Sequence, residues 1–200
     1  MGAGRRLILA LLLTVTASGA AFAGVQDGVS ALQRKDYPAA LRAFEAAAKT
    51  GDARADYYLG RMYLMAEGVL ADYKKSVRYL RRAADKGNAN AQFYLGNLYY
   101  LGEGVPRDDA EAAKWYEKAA AQADPLAQYY LGVMYASGTG VRRNAVTAHM
   151  WFDLAASGGF ATAAAFRKRL AGTMTPAEVA EAERRAQEWS ARLPKSKPGQ

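Results

Sequence analysis

The apolar positions of this chain recur on two nested periods. Within short stretches they fall three and four residues apart, as at Leu95, Leu98 and Tyr99, which puts them on one stripe of an α-helix. Over longer distances the same positions return after 36 residues. Tyr58-Leu59-Gly60 comes back as Tyr94-Leu95-Gly96 and as Tyr130-Leu131-Gly132, and a tyrosine follows each glycine by three, at Tyr63, Tyr99 and Tyr135. Bulky residues hold one slot at Phe44, Leu80, Tyr116 and Phe152, each preceded by Ala43, Tyr79, Trp115 or Trp151. Alanine pairs hold another, at 47–48, 83–84, 119–120 and 155–156. Self-similarity at a period of this size marks a solenoid of stacked repeats, because no single repeat can bury both its faces.

Each period reads as helix A, loop, helix B and tight turn. The A helices are predicted near 53–65, 89–101 and 125–137, and the B helices near 72–86, 108–122 and 144–157. The tight turns carry Gly51, Gly87 and Gly159, with Ala123 in the remaining slot, and the loops carry Gly68-Val69, Gly104-Val105 and Gly140-Val141. A glycine inside a helix costs about 1 kcal/mol relative to alanine. Its return at Gly60, Gly96 and Gly132 therefore predicts that the facing B helix crosses there and that a β-carbon would push it away.

The ends depart from the pattern. Gly24 to Lys35 reads as a short amphipathic helix with Val29 and Leu32 on its apolar face. Asp36-Tyr37-Pro38 reads as a turn opening a helix that runs to about Lys49. Past Gly159 the register decays. Phe160 to Leu170 starts as an A helix, but Arg167-Lys168-Arg169 replaces the Leu-Gly element, and Gly172 breaks it. Thr175, Pro176 and Glu178 then supply an N-cap, a first-position proline and a first-turn acid for a helix over 176–192. Val179, Ala182, Ala186 and Trp189 share one side of it, as a terminal cap requires.

Residues 1–23 read as a secretory signal peptide. Arg5 and Arg6 give the positive start, Leu7 to Ala17 the apolar core, and Ala21-Phe22-Ala23 the small-x-small pattern of a cleavage site. That apolar run is too short for a bilayer core of about 30 Å. The expected location is periplasmic or secreted after cleavage near Ala23. The formal net charge of +8 falls to +6 without the first 23 residues.

Composition excludes several chemistries. There is no cysteine, which removes disulfides, thiolate metal sites and cysteine nucleophiles together. The one histidine, His149, stands where the other units have Leu41, Val77 and Ala113, so it reads as a structural residue in an apolar slot. No catalytic, cofactor-binding or metal-binding residue is assigned, and the chain reads as non-enzymatic. Basic residues crowd one B helix at Lys74, Lys75, Arg78, Arg81 and Arg82, and recur at Arg167-Lys168-Arg169. Export argues against nucleic acid as their partner. Peripheral contact with anionic envelope components is the lesser expectation beside a protein partner.

The helix pattern resembles the tetratricopeptide repeat, through Leu95-Gly96-x-x-Tyr99 and Ala112-x-x-x-Tyr116. Gly28 to Phe44 keeps the 16-residue tetratricopeptide spacing, whereas Gly60 to Leu80 spans 20. The extra residues lie in the A–B loop. That combination resembles the Sel1-like repeat family, whose consensus is met by Ala91-Gln92-x-Tyr94-Leu95-Gly96-x-x-Tyr99-x-x-Gly102-x-Gly104-Val105, then Asp108-x-x-x-Ala112-x-x-Trp115-Tyr116-x-x-Ala119-Ala120. Met174-Thr175-Pro176 and the helix to Trp189 resemble the closing helix of many bacterial members. Departures are Ala66 in place of the earlier loop glycine, and Asn144-Ala145 in place of Asp108-Asp109.

The resemblance implies an all-α, right-handed α-solenoid of antiparallel helix pairs with a C-terminal capping helix. Its expected parts are a tetratricopeptide-like pair over 24–52, three Sel1-like repeats over 53–88, 89–124 and 125–158, a degenerate repeat helix with the capping helix over 159–194, and a tail over 195–200. It also implies that helix A lines a concave groove for a protein or peptide partner. Carried over by position, the groove residues are Arg54, Tyr57, Arg61 and Leu64, then Asn90, Phe93, Asn97 and Tyr100, then Leu126, Tyr129 and Val133. The aromatics at 57, 93 and 129 are equally readable as half-buried packing. The leading expectation is a non-enzymatic interaction scaffold of the cell envelope. The alternatives are a cell-wall or β-lactam-active hydrolase and a polysaccharide-binding component of an export assembly.

Overall fold

The computed structural model describes residues 24–193, so the predicted signal (1–23) and tail (195–200) lie outside the described residues. The described chain is helical throughout, with no strand among its residues. Residues 24–33 form α1, followed by α2 (Tyr37–Lys49), α3 (Ala53–Met65), α4 (Tyr73–Asp85), α5 (Ala89–Leu101), α6 (Asp109–Ala120), α7 (Pro125–Ser137), α8 (Ala145–Ser157), α9 (Ala161–Ala171) and α10 (Pro176–Arg192). The described residues form two compact units, 24–88 and 89–193, divided where the repeat pattern passes from the first to the second full period.

Most of the helices start where a side chain can take up backbone N–H groups that the helix leaves unpaired. Asp36, Asp72, Asp108 and Asn144 cap α2, α4, α6 and α8, accepting from Ala39, Lys75, Glu111 and Thr147 at 2.8–3.1 Å. These four caps share the 36-residue spacing. Asp52 and Asp124 cap α3 and α7 in the same way. Phe160 holds the corresponding position before α9 and makes no side-chain cap bond. Thr175 and Glu178 close a full capping box on α10.

The tight turns need a left-handed residue, and Gly51, Gly87 and Gly159 supply it with φ of 85°, 88° and 96°. Ala123 fills the fourth slot at φ 63°, against the steric preference of an L residue. At Gly140, itself at φ 70°, contact adds a second constraint: a β-carbon there would collide with the Asp109 carbonyl at the start of α6.

In residues 24–88, α2 packs on α3 and α3 on α4. Val25 and Ala31 of α1 are buried against this core, while Val29 and Leu32 sit at its margin. The deeply buried side of α1 is thus rotated from the one the sequence suggests, because Gly28 lies directly over the Phe44 ring. In residues 89–193, α5 to α9 pack in sequential order and α10 lies against α8. Ala182 and Ala186 of α10 are buried there, and Trp189 meets Trp151 edge-on at 4.9 Å.

The in-helix glycines have the packing role their recurrence predicts, with one refinement. What presses on them is mainly the bulky side chain of the partner helix. A β-carbon on Gly60, Gly96 or Gly132 would lie 2.6, 2.7 and 2.6 Å from Leu80, Tyr116 and Phe152 respectively. The bulky slot and the glycine slot are therefore two halves of one contact, repeated in each helix pair.

Candidate functional site

In the first unit the predicted groove residues lie on α3. Arg54 is bound back onto the Asp52 cap through Nε at 3.1 Å and Nη2 at 2.6 Å, which holds the Asp52 carboxyl below its ordinary range. Arg61 reaches Glu67 at 2.9 and 3.2 Å and sits 5.5 Å from the Tyr58 ring centre. Tyr57 leans on Tyr58, with centroids 5.0 Å apart, and Leu64 is half-buried. Behind them Asp56 is fully buried, with Arg82 at 3.1 Å and Lys86 at 3.4 Å. Burial raises the Asp56 pKa above the ordinary carboxylate value, and the two cations pull the other way without cancelling it.

In the second unit, Asn90 is exposed on α5 but Phe93 is only 8% exposed and belongs to the core with Tyr116 and Tyr130. Asn97 turns inward and accepts the Tyr116 hydroxyl at 2.6 Å. Burial pushes that phenol well above its ordinary value, so it donates as a neutral group. Tyr100 lies under Arg107, 5.6 Å from its guanidinium, and Arg107 is clamped by Asp109 at 2.9 and 3.0 Å. On α7, Leu126 is exposed, and Tyr129 is half-buried among Phe152, Phe160 and Phe166 at 4.9–5.9 Å. Phe93 and Tyr129 thus spend much of their surface on packing.

Val133 opens onto a cavity of about 400 Å³ between α7 and α9. Its apolar wall is Val133, Ala136, Phe152, Phe166 and Leu170. Arg143, Arg169, Ser137 and Thr173 provide the polar rim. Ala136 on its wall stands in the register position that Tyr100 holds one repeat earlier. Sequence reasoning placed neither Arg143 nor Arg169 in the groove. Adding one period to Arg107 and to Val133 gives Arg143 and Arg169, but the loss of the Leu-Gly element before Arg169 hides that register. A second cavity of about 410 Å³ lies beside Trp151 and Trp189, edged by Arg185, Glu188 and Arg192.

His149 is 2% exposed, and its Nδ1 has no hydrogen-bond partner. Burial lowers its pKa below the ordinary imidazole value, opposed by Asp153 and Glu183 and reinforced by Arg167. Among the described residues no three His, Cys, Asp or Glu side chains are grouped to hold a metal ion, and no helix is long and apolar enough to cross a membrane.

Comparison with known proteins follows the repeats. The Sel1 repeat model matches three times, over residues 53–88, 89–124 and 125–160, more than half of the chain. The chain belongs to the Sel1 repeat family. Its fold class is the all-α solenoid of paired helices. It is similar to a Sel1 repeat protein from Oxalobacter formigenes, with 29% identity, a TM-score of 0.69, and coverage of 72% of this chain and 59% of that one. It is also similar to a protective antigen of uropathogenic Escherichia coli strains with the same repeat fold, at 28% identity and TM-score 0.62 over 92% of this chain and 48% of that one. Helicobacter pylori cysteine rich protein B is 25% identical, with a TM-score of 0.51 over 63% of this chain and 96% of that one. The chain thus spans about half of the first two proteins' length. No curated protein matches it. Sel1 repeat proteins are in general scaffolds for protein interaction.

Proposed function

We propose that this chain is a non-enzymatic interaction scaffold of the bacterial cell envelope, holding a peptide or protein segment on its A-helix side. The observation that carries this reading is the apolar cavity between α7 and α9, open to solvent and walled by Val133, Phe166 and Leu170. Apolar side chains left uncovered in a concave surface favour a partner that covers them. Export to the envelope rests on Arg5, Arg6, the Leu7 to Ala17 run and Ala21-Phe22-Ala23. The hydrolase alternative gains no support, since its one candidate base, His149, is buried.

The test is site-directed photo-crosslinking in the native cell. A crosslinker at Val133 should trap a defined partner, and one at Lys114, exposed on α6, should not. The partner is then purified and its affinity measured directly. Equal adduct patterns from the two positions would remove the A-helix assignment. Fractionation with N-terminal sequencing checks export, which predicts a mature chain beginning near Gly24.

A further inference from the structure

We propose that the cavity between α7 and α9 takes an acidic peptide segment, with a bulky apolar side chain on Val133 and Phe166 and flanking carboxylates on Arg143 and Arg169. This deepens the interaction reading of the same site and rests on it. The argument comes from comparing equivalent positions along the repeats. Arg107 is neutralised by Asp109 and covered from beneath by Tyr100. One period on, Arg143 keeps the arginine, but Asp109 has become Ala145 and Tyr100 has become Ala136. Both internal partners of that guanidinium are gone.

The second cation has a parallel history. Arg61 occupies the groove register of α3 and is bound by Glu67. The same register gives Asn97, Val133 and then Arg169. Arg169 lies against the Phe166 ring, 5.8 Å from its centre, and no carboxylate pairs with it or with Arg143 among the described residues. No acid lines the cavity either. Two arginines therefore edge one apolar hollow with their charge uncompensated. Guanidinium groups bind carboxylates through two parallel hydrogen bonds, and an arginine beside an apolar seat is a common anchor of interfaces. A lipid headgroup would satisfy the charge but not a hollow of side-chain size.

The test is fluorescence anisotropy with the whole chain and a labelled, amidated peptide Gly-Ser-Glu-Leu-Phe-Glu-Gly. Arg143→Gln and Arg169→Gln should each weaken binding about tenfold, as expected for the loss of one charged hydrogen-bonding partner. Ala145→Asp should weaken it comparably with both arginines in place, by recreating the Arg107-type clamp. Peptides with Gln-Leu-Phe-Gln or Glu-Ala-Ala-Glu at the centre should bind less well, while Lys74→Gln, which removes a charge from α4, should change nothing. An unchanged melting temperature in each variant excludes misfolding. The proposal is overturned if wild type does not bind the peptide at about 1 mM, or if the arginine variants bind it as wild type does. It is also overturned if phosphatidylglycerol vesicles take the peptide's place with the same arginine dependence. Crosslinking from Val133 that persists in the arginine variants overturns the acidic specificity alone; absence of any Val133 adduct removes the interaction reading itself.

Discussion

The first and third full repeats share one register and solve it with different chemistry. In the first, charge is consumed inside the repeat: Asp56 takes Arg82 and Lys86, and Glu67 takes Arg61. In the third, the position of Asp56 is Gln128, whose amide donates to the Ala120 carbonyl at 3.3 Å, and the position of Lys86 is Gly158. The second repeat is intermediate, with Gln122 donating to Gln92 at 2.8 Å where Lys86 meets Asp56. Rings do most of the locking there, beside one ion pair of Asp153 with Arg167: Tyr129, Phe152, Phe160 and Phe166 interlock around Gly132. In the third repeat Arg143 has no carboxylate partner among the described residues, whereas Arg61 of the first is bound by Glu67.

The comparison can be broken most forcefully at the glycine slot. Gly132→Leu must displace a Phe152 ring clamped by Tyr129 and Phe166, and should cost about 3 kcal/mol. Gly60→Leu should cost less, because it meets one aliphatic Leu80 side chain, with the Leu80 backbone N at 3.1 Å, rather than a ring locked among other rings. Thermal denaturation of the two variants decides it. Equal losses would show that the rings do not rigidify the third repeat.

A smaller effect is expected at His149. Its pKa is lowered in the folded state, so the stability it permits is fully present above the unfolded value of about 6.5. That stability is lost as pH falls through the lower folded value. His149→Leu, which installs the residue of position 41, should flatten the pH dependence of the melting temperature on the acid side. It should also raise stability by roughly 1 kcal/mol by removing an unpaired buried nitrogen. An unchanged pH profile would mean that His149 is hydrated rather than packed.

Asp56 has the opposite sign. Its folded pKa is raised, so ionising it costs stability, and the cost grows as pH rises from the unfolded value through the folded one. Asp56→Gln makes the first repeat resemble the third. The difference in melting temperature between variant and parent should then be more favourable at pH 7 than at pH 3. A difference independent of pH would show that Arg82 and Lys86 fully compensate the buried charge.

The least effect is expected from Asp109→Ala, which frees Arg107 as Arg143 is free. This exposed pair should contribute less than about 1 kcal/mol. A larger loss, measured by chemical denaturation, would mean that the pair organises the A–B loop.

Most of the helices were legible in the sequence, because the 3.6-residue stripe and the 36-residue register reinforce each other. Helices α3, α5, α7 and α10 begin and end where the pattern puts them. The cap series Asp36, Asp72, Asp108 and Asn144 is equally visible as a periodic signal. The groove was less legible. Position along an A helix does not reveal whether a side chain turns out or in, and Asn97 turns in only because the Tyr116 hydroxyl needs an acceptor in the core. Arg169 reads in the sequence as part of a basic cluster rather than as a groove residue, because its repeat has lost the residues that define the register.

The sequence by itself determined the helices, their pairing and the glycine-to-bulk contacts, since these follow from spacing and side-chain volume. Only the tertiary structure decided which charges are spent and which remain. Arg61 and Arg107 are neutralised by acids six residues and two residues further along. An ion pair forms only where the fold brings both heads within about 4 Å, a distance set by loop geometry and neighbouring side chains that no linear pattern encodes.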